Sequence, residues 1–93
     1  MKIEFSKHAE VRLRLRGISK DAVKKVIKGV DSRYYDVETR NLIAFANVKL
    51  KAKMRLLCVA YQEVFGITVV VTAHPISEQQ ARNRILRGRW VKV

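Results

Sequence analysis

The chain is short of carboxylates. Eight aspartates and glutamates stand against 20 lysines and arginines in 93 residues, a formal net charge of +12. The eight are scattered, and only Asp36 and Glu38 are placed to share one strand face, a pattern more common on a solvated edge. That spread argues against carboxylate-held metal catalysis. Cysteine occurs once, as Cys58, with no disulfide partner in the chain and no Cys or His neighbour at zinc-ligand spacing. In its apolar run it reads as a small core hydrophobe rather than a nucleophile. The four glycines form no phosphate loop, which argues against nucleotide hydrolysis. No linker, repeat or low-complexity segment appears. No apolar run approaches a membrane span, and Met1–Phe5 carries no apolar signal core. A reduced cytoplasm is the expected setting.

What is present is apolar and basic. Hydrophobic residues make up 48% of the chain, enough for one domain over residues 1–93 with a modest core. The positive charge exceeds what solubility needs and points to a polyanionic partner, either nucleic acid or an acidic protein. A membrane surface fits less well, because no segment joins its basic and apolar residues in one long amphipathic helix.

Phe5–Ser19 carries the sharpest signal. His8, Arg12 and Arg16 are spaced four apart and form one stripe if the stretch is helical. Val11 and Leu15 flank it on one side, Ala9 and Leu13 on the other, so the stripe should lie mid-way across the apolar arc. An imidazole and two guanidiniums there need partners or a cleft. The same residues also alternate as a strand would, with Val11, Leu13 and Leu15 inside. Good helix formers and a Ser6 N-cap favour the helix.

The predicted elements follow in order. A short strand covers Met1–Phe5. A helix over Ser6–Arg16 ends at Gly17, and Ser19 caps a second over Lys20–Lys28. In the second, Ala22, Val23, Val26 and Ile27 share a face opposite Lys24, Lys25 and Lys28. Strands are predicted at Arg33–Val37, Leu42–Val48, Met54–Gln62 and Ile67–Ala73, with a basic turn at Lys49–Lys53 and a hairpin at Gly66. Pro75 ends the last of them. Ser77 and Gln80 fit a capping box for a final helix to Arg87, and Arg89–Val93 adds an edge strand or covers an open face. The expected fold is α+β, β-α-α-β-β-β-β-α, with two N-terminal helices on one face of a 4–5-stranded antiparallel sheet and a C-terminal helix. The other face then depends on the tail or on a partner.

The opening His8-x3-Arg12-x3-Arg16-Gly17-Ile18-Ser19, with Thr72-Ala73-His74-Pro75 closing the last strand, resembles the RelE-like toxin superfamily. It looks closest to the BrnT toxins, and the resemblance covers most of the chain. BrnT-like chains have Ser-Ala-Arg where this one has Thr72-Ala73-His74. The resemblance implies the compact fold shared by RelE, barnase and colicin ribonucleases. It also implies metal-independent RNA cleavage without a cofactor, with ribosome-bound message among the substrates, and an acidic antitoxin partner.

Metal-free RNA cleavage needs a base for the 2′-hydroxyl, cations for the phosphorane and an acid for the leaving oxygen. Histidine suits the proton transfers and arginine the charge. His74 is the expected main acid or base, with His8 as complement or phosphate binder. Arg12 and Arg16 should hold the scissile phosphate and Thr72 hydrogen-bond it. Arg40, Lys49, Lys51, Lys53, Arg55, Arg84 and Arg87 are further candidates for RNA contact. A non-catalytic nucleic-acid-binding module fits the charge equally well, with Tyr34, Tyr35 and Trp90 as stacking faces and Phe45 and Tyr61 better read as core. A degenerate toxin fold that only engages a protein partner is a third reading, and homo-oligomers remain open.

Overall fold

The computed structural model describes residues 1–93. Three helices and six strands alternate as β1 (Lys2–Phe5), α1 (Lys7–Arg16), α2 (Lys20–Gly29), β2 (Tyr34–Asp36), β3 (Asn41–Leu50), β4 (Lys53–Val64), β5 (Ile67–Pro75), α3 (Glu78–Leu86) and β6 (Trp90–Lys92). The helix ends follow local chemistry. Ser6, Ser19 and Ser77 each accept a backbone N–H three residues on, and Gln80 returns the bond to Ser77 to complete the capping box. Gly17 closes α1 with φ 66°. Arg33 clamps the far end of α2, donating to the Ile27 carbonyl and to the Tyr61 hydroxyl at 2.8 Å each.

The strands form one sheet in the order β1-β5-β4-β3-β2-β6. It has six strands rather than four or five, because the tail pairs with β2 as an edge strand. It is also mixed rather than antiparallel, because β1 runs parallel to β5 from Lys2↔Ile67 to Phe5↔Val70. The antiparallel rule holds for strands joined by short connections. β1 pairs with a strand far along the chain, so nothing local sets its direction.

Helices cover both faces, not one. On the first face α1 and α2 pack Ala9, Leu13, Val23, Val26 and Ile27 against Ala44, Leu57, Val59, Tyr61, Val70 and Ala73. On the second, α3 brings Ala81 and Ile85 over Ile43, Cys58, Ala60, Ile76 and Trp90. Small residues on the first face let α1 and α2 sit close to the strands. Truncating Ile27 or Leu57, both fully buried, should cost about 2–5 kcal/mol.

Helix α1 is turned differently from the sequence expectation. Its buried residues are Ala9 and Leu13, while Val11 is 48% and Leu15 80% exposed. Counting about 100° per residue, Arg16 lies nearest the buried line, Arg12 further round and His8 furthest. The basic stripe therefore runs off the border of the core instead of along its middle.

Candidate functional site

His74 sits near the end of β5, opposite Cys58. Val71 is an extra residue in this strand, since Ala60 faces Thr72 while the next residue, Tyr61, faces Val70. The bulge leaves Thr72 and His74 on the α3 face. Strand β1 stops at Phe5, opposite Val70, so Thr72–Pro75 would present an open edge. Arg16 closes it from the end of α1. Its Nη1 donates to the Ala73 carbonyl at 2.8 Å and to Thr72 Oγ1 at 3.1 Å, which leaves its other donors free.

Beside His74 lies a cavity of about 90 Å³. Thr72, His74, Cys58 and Ala60 line one side, Asn41, Ile43 and Thr39 another, and Asp36, Arg84, Arg89 and Trp90 complete it. At about 30 Å³ per water it holds roughly three waters. That is room for phosphoryl oxygens.

Asp36 organises three of these walls. It is 2% exposed and accepts from Arg89 Nε and Nη2, from Trp90 Nε1, and from the backbone of Glu38 and Thr39. One carboxylate thus ties β6 to β2 and shapes the turn that carries Thr39 and leads into Asn41. Burial by itself would raise its pKa. The Arg89 bond and the two backbone N–H groups overcome that and hold the carboxyl at about 2. Arg89 spends Nε and Nη2 on Asp36 and keeps Nη1 free. The Asp36–Glu38 pair is therefore no solvated strand face: Asp36 is buried and Glu38 lies in the following turn.

His74 is half-buried, and its pKa falls below the usual 6.5. Burial is the main cause, and the charges of Arg16, Arg84, Arg12 and Arg89 add to it. Its imidazole is neutral at pH 7 in a cationic surround. Arg84 is steadied over the Trp90 ring at 5.2 Å. Cys58, at the back wall, is buried, and that burial pushes its thiol up to about 12. It is not a thiolate nucleophile.

The cavity adjoins a surface groove of about 440 Å³ that shares Arg84 and Arg89 with it and adds Arg87, Gln80, Asn83, Val37, Glu38 and Gly88. Of the 20 basic side chains, only Lys20 and Arg89 stand within ion-pair distance of an acid. Arg84 and Arg87 in the groove are thus free to meet an external anion, whereas Arg89 is held by Asp36.

The fold gathers Thr72, His74, Arg16, Arg84 and Arg87 around this cleft, and Arg12 is half-buried on α1 one turn before Arg16. His8 stays apart, exposed on the first turn of α1 about 12 Å along the axis from Arg16 and without a hydrogen bond to the site. Arg40 is exposed in the β2–β3 turn at φ 63°, and Arg55 is exposed on β4 opposite Val48. Lys49, Lys51 and Lys53 are exposed at the β3–β4 hairpin, where Lys51 leans over Gly17. Tyr34 and Trp90 are not free stacking faces. They form a cluster with Phe45, which lies 5.6 Å from each by ring centroid. Sequence reasoning missed Asp36, Arg89, Thr39 and Asn41. The available signal was an aspartate between strand aromatics with an Arg-Trp pair in the tail, but nothing local joins them.

No known family model matches this chain, and no curated protein or solved structure matches it either.

Proposed function

We propose that the chain is a metal-independent endoribonuclease of the RelE/BrnT-like toxin type, cleaving RNA by attack of the 2′-hydroxyl. The supporting observation is His74, a neutral imidazole at a small cavity lined by Arg84 and Arg89, with Arg16 bonded to Thr72 at its edge. In this reading His74 takes the 2′-hydroxyl proton. The 2′-oxygen attacks phosphorus, the bond to the 5′-oxygen breaks, that oxygen leaves with a proton returned by the His74 imidazolium or taken from water, and a 2′,3′-cyclic phosphate remains. The free donors of Arg16 and Arg89, with Arg84 and Thr72, stabilise the added negative charge. Arg87 and the groove hold the adjoining strand. The setting is cytoplasmic, the substrate is RNA with ribosome-bound message included, and an acidic antitoxin-like protein is the controlling partner.

One observation favours a second reading, a non-catalytic RNA-binding module. The cavity holds one imidazole and no second general acid. Product chemistry separates the two. Purified chain incubated with end-labelled RNA in EDTA should yield 2′,3′-cyclic phosphate ends. His74→Ala and Arg12→Ala together should abolish the products while circular dichroism stays unchanged. Intact RNA that is nonetheless retained by the wild-type chain would establish the binding module instead.

A further inference from the structure

The longest unpaired stretch of backbone lies along β3. Strand β3 runs from Asn41 to Leu50, but β2 pairs only with Asn41, Leu42 and Ile43. Beyond that point β4 occupies one side of β3 and no strand occupies the other. No loop or side-chain hydrogen bond reaches Ala44–Leu50 from the open side. These seven residues offer about 23 Å of alternating N–H and C=O groups.

This edge borders a groove of about 440 Å³ between β3 and α2, in which Ala46, Val48 and Met54 supply apolar surface. Gly29 lies on its helical side, and a Cβ there would meet nothing within 4 Å, so the space beside it is open. A neighbouring groove of about 460 Å³ is lined by Lys24, Lys25 and Lys28. Asp21 is the only acid in either groove, and none of these lysines, nor Lys49, is ion-paired.

We propose that the β3 edge beside α2 is a docking site for an extended acidic segment of a partner protein, which adds to the sheet as a seventh strand. A strand edge alternates donors and acceptors, and only another peptide backbone supplies the complement. A nucleic-acid backbone offers phosphate acceptors and, in RNA, a single 2′-hydroxyl donor per nucleotide, without the paired amide groups of a strand. A second copy of this chain is disfavoured, because it would bring two lysine-lined grooves together on molecules that each carry +12. Acidic side chains on the incoming strand would meet Lys49 on one face of the sheet, and small apolar ones would meet Ala46 and Val48 on the face that α2 covers. This goes beyond the ribonuclease reading and stands whether or not His74 cleaves RNA, since the groove shares no lining residue with the cavity.

The test uses the full chain and a fluorescent heptapeptide of alternating glutamate and valine. Binding is followed by anisotropy, and amide hydrogen exchange is read residue by residue. Saturable binding should slow exchange within Ala44–Leu50. Lys49→Glu should weaken it about tenfold. Peptides N-methylated at alternate residues, in both registers, should include one that binds at least tenfold more weakly, because one register removes the donors facing β3. This second measurement needs no altered protein fold. No binding, equal binding of all N-methylated peptides, or protection confined to another segment would overturn the proposal. Concentration-dependent dimerisation that protects the same amides would assign the edge to a second copy. Displacement of the peptide by single-stranded RNA, with RNA protecting the same residues, would assign it to nucleic acid.

Discussion

At the residue scale, Asp36 and His74 are opposite cases of one rule: burial disfavours charge unless partners compensate. Asp36 has Arg89 and two backbone N–H groups, so its charged form wins and its pKa is about 2 rather than 3.8. Its contribution to stability, roughly 2–3 kcal/mol, is complete above pH 3.8 and should be lost as pH falls toward 2. Asp36→Asn should therefore lower stability in urea by about that amount at pH 7 and flatten the acid limb of the stability curve. His74 is half-buried beside arginines with no compensating partner of its own, so its neutral form wins. Protonation costs the folded state more than the unfolded chain, and stability should decline as pH drops below 6.5. The imidazole resonances of His74 should titrate below 6.5, and inorganic phosphate in the cleft should raise that midpoint by screening the arginines. If His74 is the base, cleavage should rise with pH through the same low midpoint. A midpoint at or above 6.5 would remove the electrostatic basis of the site.

At the element scale, the β3–β4 hairpin turns through Lys51 and Ala52, both in the left-handed region at φ 49° and 67°. A two-residue hairpin needs that geometry, and the usual residues for it are Asn and Gly. A side chain held there costs about 1–2 kcal/mol, against which glycine forfeits some backbone entropy. Ala52→Gly should therefore stabilise the domain by about 0.5–1 kcal/mol, read as a higher urea midpoint with an unchanged slope. Gly17→Ala should do the reverse, since φ is 66° and the new Cβ would stand 2.7 Å from Lys51 Cε. Strand β6 is only three residues long, yet it carries Trp90 and follows Arg89. Its docking completes the cleft, which makes a short edge strand part of the candidate site.

At the scale of the whole molecule, charge is the dominant property. Eighteen of the 20 basic side chains lack an acidic partner, so the field around the chain is strongly positive. No helix is long and apolar enough to cross a membrane. If Arg12, Arg16, Arg84 and Arg87 each meet one phosphate, log affinity for single-stranded RNA should fall with log salt with a slope of about −3. Arg84→Ala with Arg87→Ala should bring that slope to about −1.5. An unchanged slope in the double variant would place RNA elsewhere on the surface.

The sequence determined whatever depends on neighbours a few residues away. Ser6, Ser19, Ser77 and Gly17 fix the helix ends through bonds spanning one turn, and apolar runs mark the strands. The charge balance, likewise, is a sum that needs no fold. Only the tertiary structure decided that β1 runs parallel to β5, that α3 covers the second face, and that Val11 and Leu15 face solvent. It also decided which side chains surround His74. Arg16 meets Thr72 across 56 residues and Arg89 meets Asp36 across 53. Such pairs are selected by packing of the sheet and burial of the carboxylate, which no period or cap in the local sequence records.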